Sequence, residues 1–305
     1  MVWGPEIFEA LRSISSPALD RIVRLLTDLG STEFFITAVP IVYWCLNKTL
    51  GLSLGIVTVI SGGINIALKD VFQIPRPYVL YPHLGAPDFL LTTGTGWSFP
   101  SGHAQTTATF WGYLALHARR RWAAWLAASL IAIVGFTRVY ATVHSPTDVL
   151  VGGALGLVVA AAYLLVDGFF SNRKTVSAPW AITASIAIPS GLLAAASLRP
   201  GLADGLANIL GFLAGAFIGR HIERTRVRFQ EAAPFAVQVY KVLVGLAGVM
   251  ALRYGLKAVF PAGPVFHMLR YLIIALWVTA GAPWLFASQF PVSRKRQPRA
   301  RRRRA

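Results

Sequence analysis

Apolar residues in this chain gather in successive blocks of about 17 to 25, near 33–47, 51–68, 102–118, 122–140, 147–167, 179–198, 201–219, 235–258 and 268–288. At 1.5 Å rise per residue, a helix of that length crosses about 30 Å of hydrocarbon. The chain is 55% hydrophobic and only 13% charged. A disordered basic chain would be poorer in Leu, Val, Ile and Phe, and a soluble domain richer in charge. The fold expected is all-α, a polytopic transmembrane helical bundle. Hydropathy gives eight or nine spans, because the first block is short and the two around Pro200 nearly run together.

Lys and Arg number 29 against 12 Asp and Glu, a formal charge of +17. Alternating the connections puts Lys48, Arg119 to Arg121, Arg173 and Lys174, the run 220–228 and the tail on one side, with 18 of the 29 basic residues. The positive-inside rule makes that side cytoplasmic, and the N-terminus with the loops near 69–101 and 138–146 external. The excess charge is thus mostly topological. The Arg-rich tail, 291–305, is expected to bind anionic lipid headgroups, and no nucleic acid. Lys241, Arg253 and Lys257 are expected to snorkel from span ends. Residues 1–30 interleave charge with apolar residues at helical spacing, which argues against a cleavable leader and for an amphipathic interfacial segment or a helix packed on the bundle. Cys45 stands alone, so no intrachain disulfide forms.

Three polar clusters fall on the external face. Lys69 ends the second block, and Arg76 follows between Pro75 and Pro77, where no helix can continue. Alone, these two cations read first as a snorkelling pair that binds lipid headgroups, ahead of a catalytic role. In the second cluster, Pro100, Ser101, Gly102 and His103 open the third block. A helix start carries unpaired N–H groups and the positive end of the dipole, an anion site beside an imidazole that can move a proton near neutral pH. Ser101 reads alternatively as a plain N-cap. The third holds Arg138, His144 and Asp148. His144 and Asp148 are four residues apart, about 6 Å along a helix, where a carboxylate could hold the imidazole tautomer. Ser145 and Asp148 also spell a capping box with Pro146 at the first helical position, and both readings stay open. The remaining histidines, 83, 117, 221 and 267, have no obvious partner and read as interfacial. Three cations, two helix starts and two histidines on one face form the inventory of a phosphate site. Asp70, Asp88 and Asp148 are too scattered to hold two magnesium ions, so metal-independent chemistry with no cofactor is expected.

Taken in order, K-x6-R-P at Lys69 to Pro77, P-S-G-H at Pro100 to His103 and R-x5-H-x3-D at Arg138 to Asp148 resemble the signature of the type 2 phosphatidic acid phosphatase superfamily, shared with vanadium-dependent haloperoxidases. Thr137 stands where the family usually has Ser, and keeps a hydroxyl. The resemblance implies a six-helix phosphatase core at 31–198 after the 1–30 segment, with additional spans of unread role at 199–290 before the basic tail. It also implies a mechanism. His144 would be the nucleophile, forming a phosphohistidine, with Asp148 orienting it. His103 would act as acid and then base. Lys69, Arg76, Ser101, Gly102 and Arg138 would bind the phosphate oxygens. The implied substrate is a lipid phosphate or diphosphate, such as a polyprenyl diphosphate, phosphatidate, phosphatidylglycerol phosphate or a sphingoid phosphate. If the protein is bacterial, the implied location is the inner membrane with the site facing the periplasm. A noncatalytic lipid-phosphate binding or transport protein is the alternative, suggested by the extra spans beyond residue 200, whose Gly-rich stretch 201–220 reads equally as close helix packing. Oligomeric state is left open.

Overall fold

The computed structural model describes residues 4–84, 88–171, 187–188, 190–193 and 200–290. These residues are mostly helical, and no strand occurs among them. The order is α1 Glu6–Ser13, α2 Pro17–Thr27, α3 Thr32–Ile41, α4 Lys48–Phe72, α5 Pro77–Leu80, α6 Asp88–Leu91, α7 Gly102–Ala118, α8 Arg121–Tyr140 and α9 Pro146–Ser171. After the break come α10 Pro200–Ile222, α11 Phe235–Val259, α12 Pro264–Leu276 and α13 Ala282–Gln289. Most starts follow local chemistry. Ser16, Ser31 and Asn47 accept from the N–H groups of Leu19, Phe34 and Leu50, so three side-chain caps open α2, α3 and α4.

Six described helical segments are long and apolar enough to span a membrane, seven if the pair Pro17–Gly30 and Thr32–Leu46, bent by 52°, counts as one. Three of the nine apolar blocks are not among these six. The first block is the second arm of that bent pair, α7 has only 17 residues, and most of the block at 179–198 lies outside the described residues. The basic pair at 173–174 and the tail lie outside them too. Large apolar side chains face outward, Trp125 and Leu165 among them at 76% and 77% exposure, the surface of a protein solvated by lipid. It is an integral membrane protein.

Two hydrophobic cores flank the α3 segment. On one face Phe35 and Val39 join Leu54 and Val57 of α4, Phe110 and Tyr113 of α7 and Ala160 of α9. On the other, Tyr43 and Trp44 join Phe229, Val249, Ile274, Val278 and Phe286 of the C-terminal helices. A π-helical turn at Val42–Leu46 carries those two aromatics, and a second at Trp277–Gly281 faces it. A π turn leaves carbonyls off the regular ladder. Tyr43 Oη donates to the Thr279 carbonyl at 3.1 Å and Trp44 Nε1 to that of Val278 at 2.8 Å. The two halves are therefore joined by hydrogen bonds as well as by packing.

Glycines set the closest helix approaches. On α9 a Cβ at Gly156 would lie 2.2 Å from the Gln105 carbonyl oxygen of α7. On α10 Cβ atoms at Gly211 and Gly215 would lie 2.0 and 2.3 Å from the carbonyl oxygens of Met268 and Leu272 on α12. Of the two readings of the 201–220 glycines, close helix packing is the one seen at Gly211 and Gly215.

Several charged residues differ from expectation. Lys241 does not snorkel. It is 2% exposed and donates to the carbonyls of Gln230 and Glu231, because the chain after α10 folds back across the end of α11. Arg253 pairs with Glu33 at 2.7 Å. Lys48 bonds buried Glu223 at 2.8 Å, so the basic ends that topology assigned to one side do meet at one end of the bundle. The N-terminal helices pack on the bundle, with Phe8 and Val23 buried and Asp20 accepting from Tyr140 Oη at 2.7 Å.

Candidate active site

The end of the bundle opposite Lys48 gathers the three clusters. Gln73, with φ +47°, ends α4 and turns the chain into the segment that delivers Arg76. Arg76 is 4% exposed, so it is not a headgroup-seeking side chain. Its guanidinium donates to the carbonyls of Gly96, Thr95 and Val143 at 2.9, 2.7 and 2.9 Å. That wrapping needs Gly94, where a Cβ would sit 2.6 Å from Arg76 Nη1. Lys69 donates to the carbonyls of Trp97 and, at 3.0 Å, Ser98, which holds the 97–101 strap over the start of α7.

His144 lies in the loop between α8 and α9 and is 2% exposed. Its Nε2 is 3.1 Å from Arg76 Nη1. A guanidinium only donates, so Nε2 accepts and the ring proton resides on Nδ1. Facing Nδ1 are Ser98 Oγ at 3.4 Å and Asp148 Oδ2 at 3.5 Å. Ser98 Oγ in turn donates to Asp148 Oδ2 at 2.6 Å. Asp148 also accepts from the Ser145 N–H at 2.8 Å, and its own N–H donates to Ser145 Oγ at 3.2 Å. The two readings of Asp148 are therefore compatible. One carboxylate closes the capping box of α9 and lies beside the imidazole. Burial, followed by the charges of Arg76, Arg138 and Lys69, pushes the His144 pKa well below the ordinary histidine value, keeping the ring neutral.

Ser101 occupies the N-cap position of α7, yet its side chain makes no capping bond. Its Oγ is buried without a partner. Its N–H donates to the Asp148 carbonyl at 2.9 Å, and a Cβ at Gly152 would meet the Ser101 carbonyl at 2.6 Å, so the starts of α7 and α9 are locked together. Arg138 is fully buried. Nη2 donates to the Thr93 carbonyl at 3.0 Å and Nη1 to Thr27 Oγ1, while Nε has no partner. His103, second residue of α7, interacts electrostatically with Arg138, His144, Arg76 and Lys69. Gly102 and His103 present the N-terminal end of α7 to the same space. Two unpaired buried donors, Ser101 Oγ and Arg138 Nε, beside a helix start and three cations suit a tetrahedral oxyanion.

A model described as "PAP2 superfamily" matches residues 50–171, and one described as "PAP2 superfamily phosphatase, transmembrane extension" matches 207–293. Phosphatidylglycerophosphatase B of Bacillus subtilis (strain 168) is 30% identical over 182 residues, 55% of this chain and 83% of that protein. The chain belongs to the PAP2 superfamily.

Other PAP2 relatives are lipid phosphate phosphatase delta of Arabidopsis thaliana, 24% identical over 59% of this chain, and a probable sphingosine-1-phosphate phosphatase of Dictyostelium discoideum, 39% identical over 23%. The chain spans 47% of the length of the first and 18% of the second. A solved structure, titled as that of the first transmembrane PAP2 type phosphatidylglycerolphosphate phosphatase from Bacillus subtilis, is similar with a TM-score of 0.45 and 28% identity over 55% of this chain and 85% of its own. Lipid phosphate phosphatase delta and phosphatidylglycerophosphatase B are named as phosphatases of lipid phosphates.

The PAP2 site contains residues that the motifs do not name. Ser98 bridges Asp148 and His144, and Thr27, from the N-terminal helices, holds Arg138. Beneath the strap, Asn65 Nδ2 donates to Gln105 Oε1 at 2.9 Å and to the Pro100 carbonyl at 3.1 Å, fixing the turn into α7. The buried amide pair lies inside apolar blocks, which was a usable signal, since unpaired amides are costly in lipid. Thr27 carried none. Thr137 bonds Thr27 Oγ1 at 3.1 Å and so supports Arg138 indirectly. His83 and His117 meet Glu9 and Tyr113 instead of the site.

Proposed function

We propose that this protein hydrolyses a phosphomonoester or diphosphate of a membrane lipid through a phosphohistidine on His144, without a metal ion. The observation that carries the proposal is the environment of His144, a buried neutral imidazole whose Nε2 is the free-base nitrogen and whose Nδ1–H faces Asp148. Nε2 attacks phosphorus as Arg76 Nη1 turns from the ring to a nonbridging oxygen. Lys69, Arg138 Nε, Ser101 Oγ and the Gly102 N–H take the remaining charge. Asp148 stabilises the imidazolium that forms. His103, protonated once the bound phosphate dianion offsets the cations around it, gives its proton to the departing lipid oxygen, then takes one from the water that attacks phosphorus as the phosphorus–nitrogen bond breaks, which releases phosphate and restores both rings. Among the described residues no three His, Cys, Asp or Glu side chains converge as metal ligands, and the cationic donor set itself suits an anion.

The site sits at the ends of spans, where a lipid headgroup lies. Positive-inside topology turns it away from the cytoplasm, toward the periplasm if the cell is bacterial. Phosphate release from phosphatidate, phosphatidylglycerol phosphate and polyprenyl diphosphate in chelator, with an alkali-stable, acid-labile label on His144, is the expected result. Unchanged turnover in His144→Ala, or strict dependence on added magnesium, would overturn the reading.

A further inference from the structure

A cavity of about 270 Å³ lies between the catalytic half and the C-terminal helices, and its walls are mainly apolar. One wall is a stripe of α4: Gly55, Val59, Gly62 and Ile66. This spacing of four, three and four is one helix face, and one further step of three reaches Lys69. From α7 the cavity takes Thr106, one turn below His103. The opposite wall is Ile209 and Phe212 of α10 with Ile274 of α12. The cavity therefore ends one helical turn short of Lys69 on α4 and of His103 on α7, directly beneath the proposed phosphate site. From Ile66 to Gly55 it descends about 16 Å, half or more of a hydrocarbon core about 30 Å thick. Gly62 opens it, since a Cβ there would meet nothing within 4 Å.

We propose that this cavity holds one hydrocarbon chain of the substrate, so that the C-terminal helices form half of a lipid-tail site. The inference rests on the phosphatase reading for the headgroup at its upper end. An enclosed chain exchanges lipid contacts for fixed apolar walls and carries the phosphate to Lys69 and His103 in one orientation, so the chain assists turnover as well as binding.

The test compares phosphate release from palmitoyl and butyryl phosphatidate in mixed micelles. Plugging the cavity with Gly62→Phe, or from the opposite wall with Ile209→Trp, is expected to lower the palmitoyl-to-butyryl ratio of kcat/KM at least about tenfold, the worth of two or three methylenes at roughly fourfold each. Gly255→Phe, on an exposed face of α11 where a Cβ also meets nothing, is expected to leave that ratio unchanged. A palmitoyl phosphatidate with a diazirine at the chain end supplies a readout that needs neither turnover nor a variant. Crosslinks are expected on α4 and α10, and to persist in His144→Ala. Unchanged ratios in both plugged variants, or crosslinks confined to outward-facing positions such as Trp125 and Leu165, overturn the inference. Retained turnover in His144→Ala with a chain-dependent ratio strikes the phosphohistidine alone.

Discussion

Helix pairs α7/α9 and α10/α12 are closed by the same device, glycines four residues apart that let one helix rest on the carbonyls of the next. What they enclose differs. The first pair brings Ser101 against Asp148, and it leaves Ser101 Oγ unpaired at its mouth. The second encloses Ala203, Ala207 and Leu210 against Met268. Close packing by glycine is thus a general solution in lipid, where van der Waals contact replaces the hydrophobic drive. Chemistry arises where the close approach is spent on polar groups that stay incompletely satisfied.

The comparison breaks most visibly at Asp148. Asp148→Asn removes the charge behind His144 and weakens the capping box, so turnover is expected to fall about 10²- to 10⁴-fold while stability drops only about 1 kcal/mol. Steady-state kinetics beside a thermal midpoint separate the two, and turnover kept within about twofold would take the chemistry away from this pair. Next come the matched variants Gly156→Leu and Gly215→Leu, each forcing apart backbones already in contact and each expected to cost about 1–3 kcal/mol. In the folded fraction of each, isolated by gel filtration and given butyryl phosphatidate, whose chain is too short to fill the cavity, only Gly156→Leu should lower kcat, because that glycine supports the helix bearing Ser101 and His103.

Ser101→Ala sharpens the contrast further. A buried hydroxyl without a partner contributes nothing to the resting fold, so the midpoint should hold or rise, whereas turnover should fall about 10- to 100-fold as one oxyanion donor is lost. A clear fall in midpoint would mean that the side chain caps α7 after all. The smallest effect is in pH. The folded His144 pKa is depressed, so below about 6.5 the unfolded chain takes up a proton that the native state refuses. The stability that His144 contributes is full above that value and is lost as pH falls, by no more than about 1.4 kcal/mol per pH unit for this one group. His144→Gln should flatten that slope in midpoints measured across pH, whereas a change confined to α10/α12 should leave it alone.

Much of this was legible along the chain because it is local. Ser16, Ser31, Asn47 and Ser145 begin helices through bonds reaching three residues ahead. Apolar length marks the spans, and the spacing of His144 and Asp148 puts them within reach of each other. Ser98, Thr27 and the carbonyls around Arg76 were not legible, since each acts on a partner 19 to 111 residues away, and such pairings leave no periodic trace. Lys241 was misjudged for the same reason. Snorkelling follows from position along a span, but its carbonyl partners come from a chain reversal that hydropathy does not encode.

The order of residues alone determined that this chain enters a membrane as helices and carries cations, two imidazoles and a carboxylate toward one end, because transfer free energy and helical rise act residue by residue. Tertiary structure decided which donors remain unpaired, which nitrogen of His144 is free, and how the C-terminal helices close a cavity against α4. Those are properties of contacts between distant segments, and they exist only once the backbones have packed.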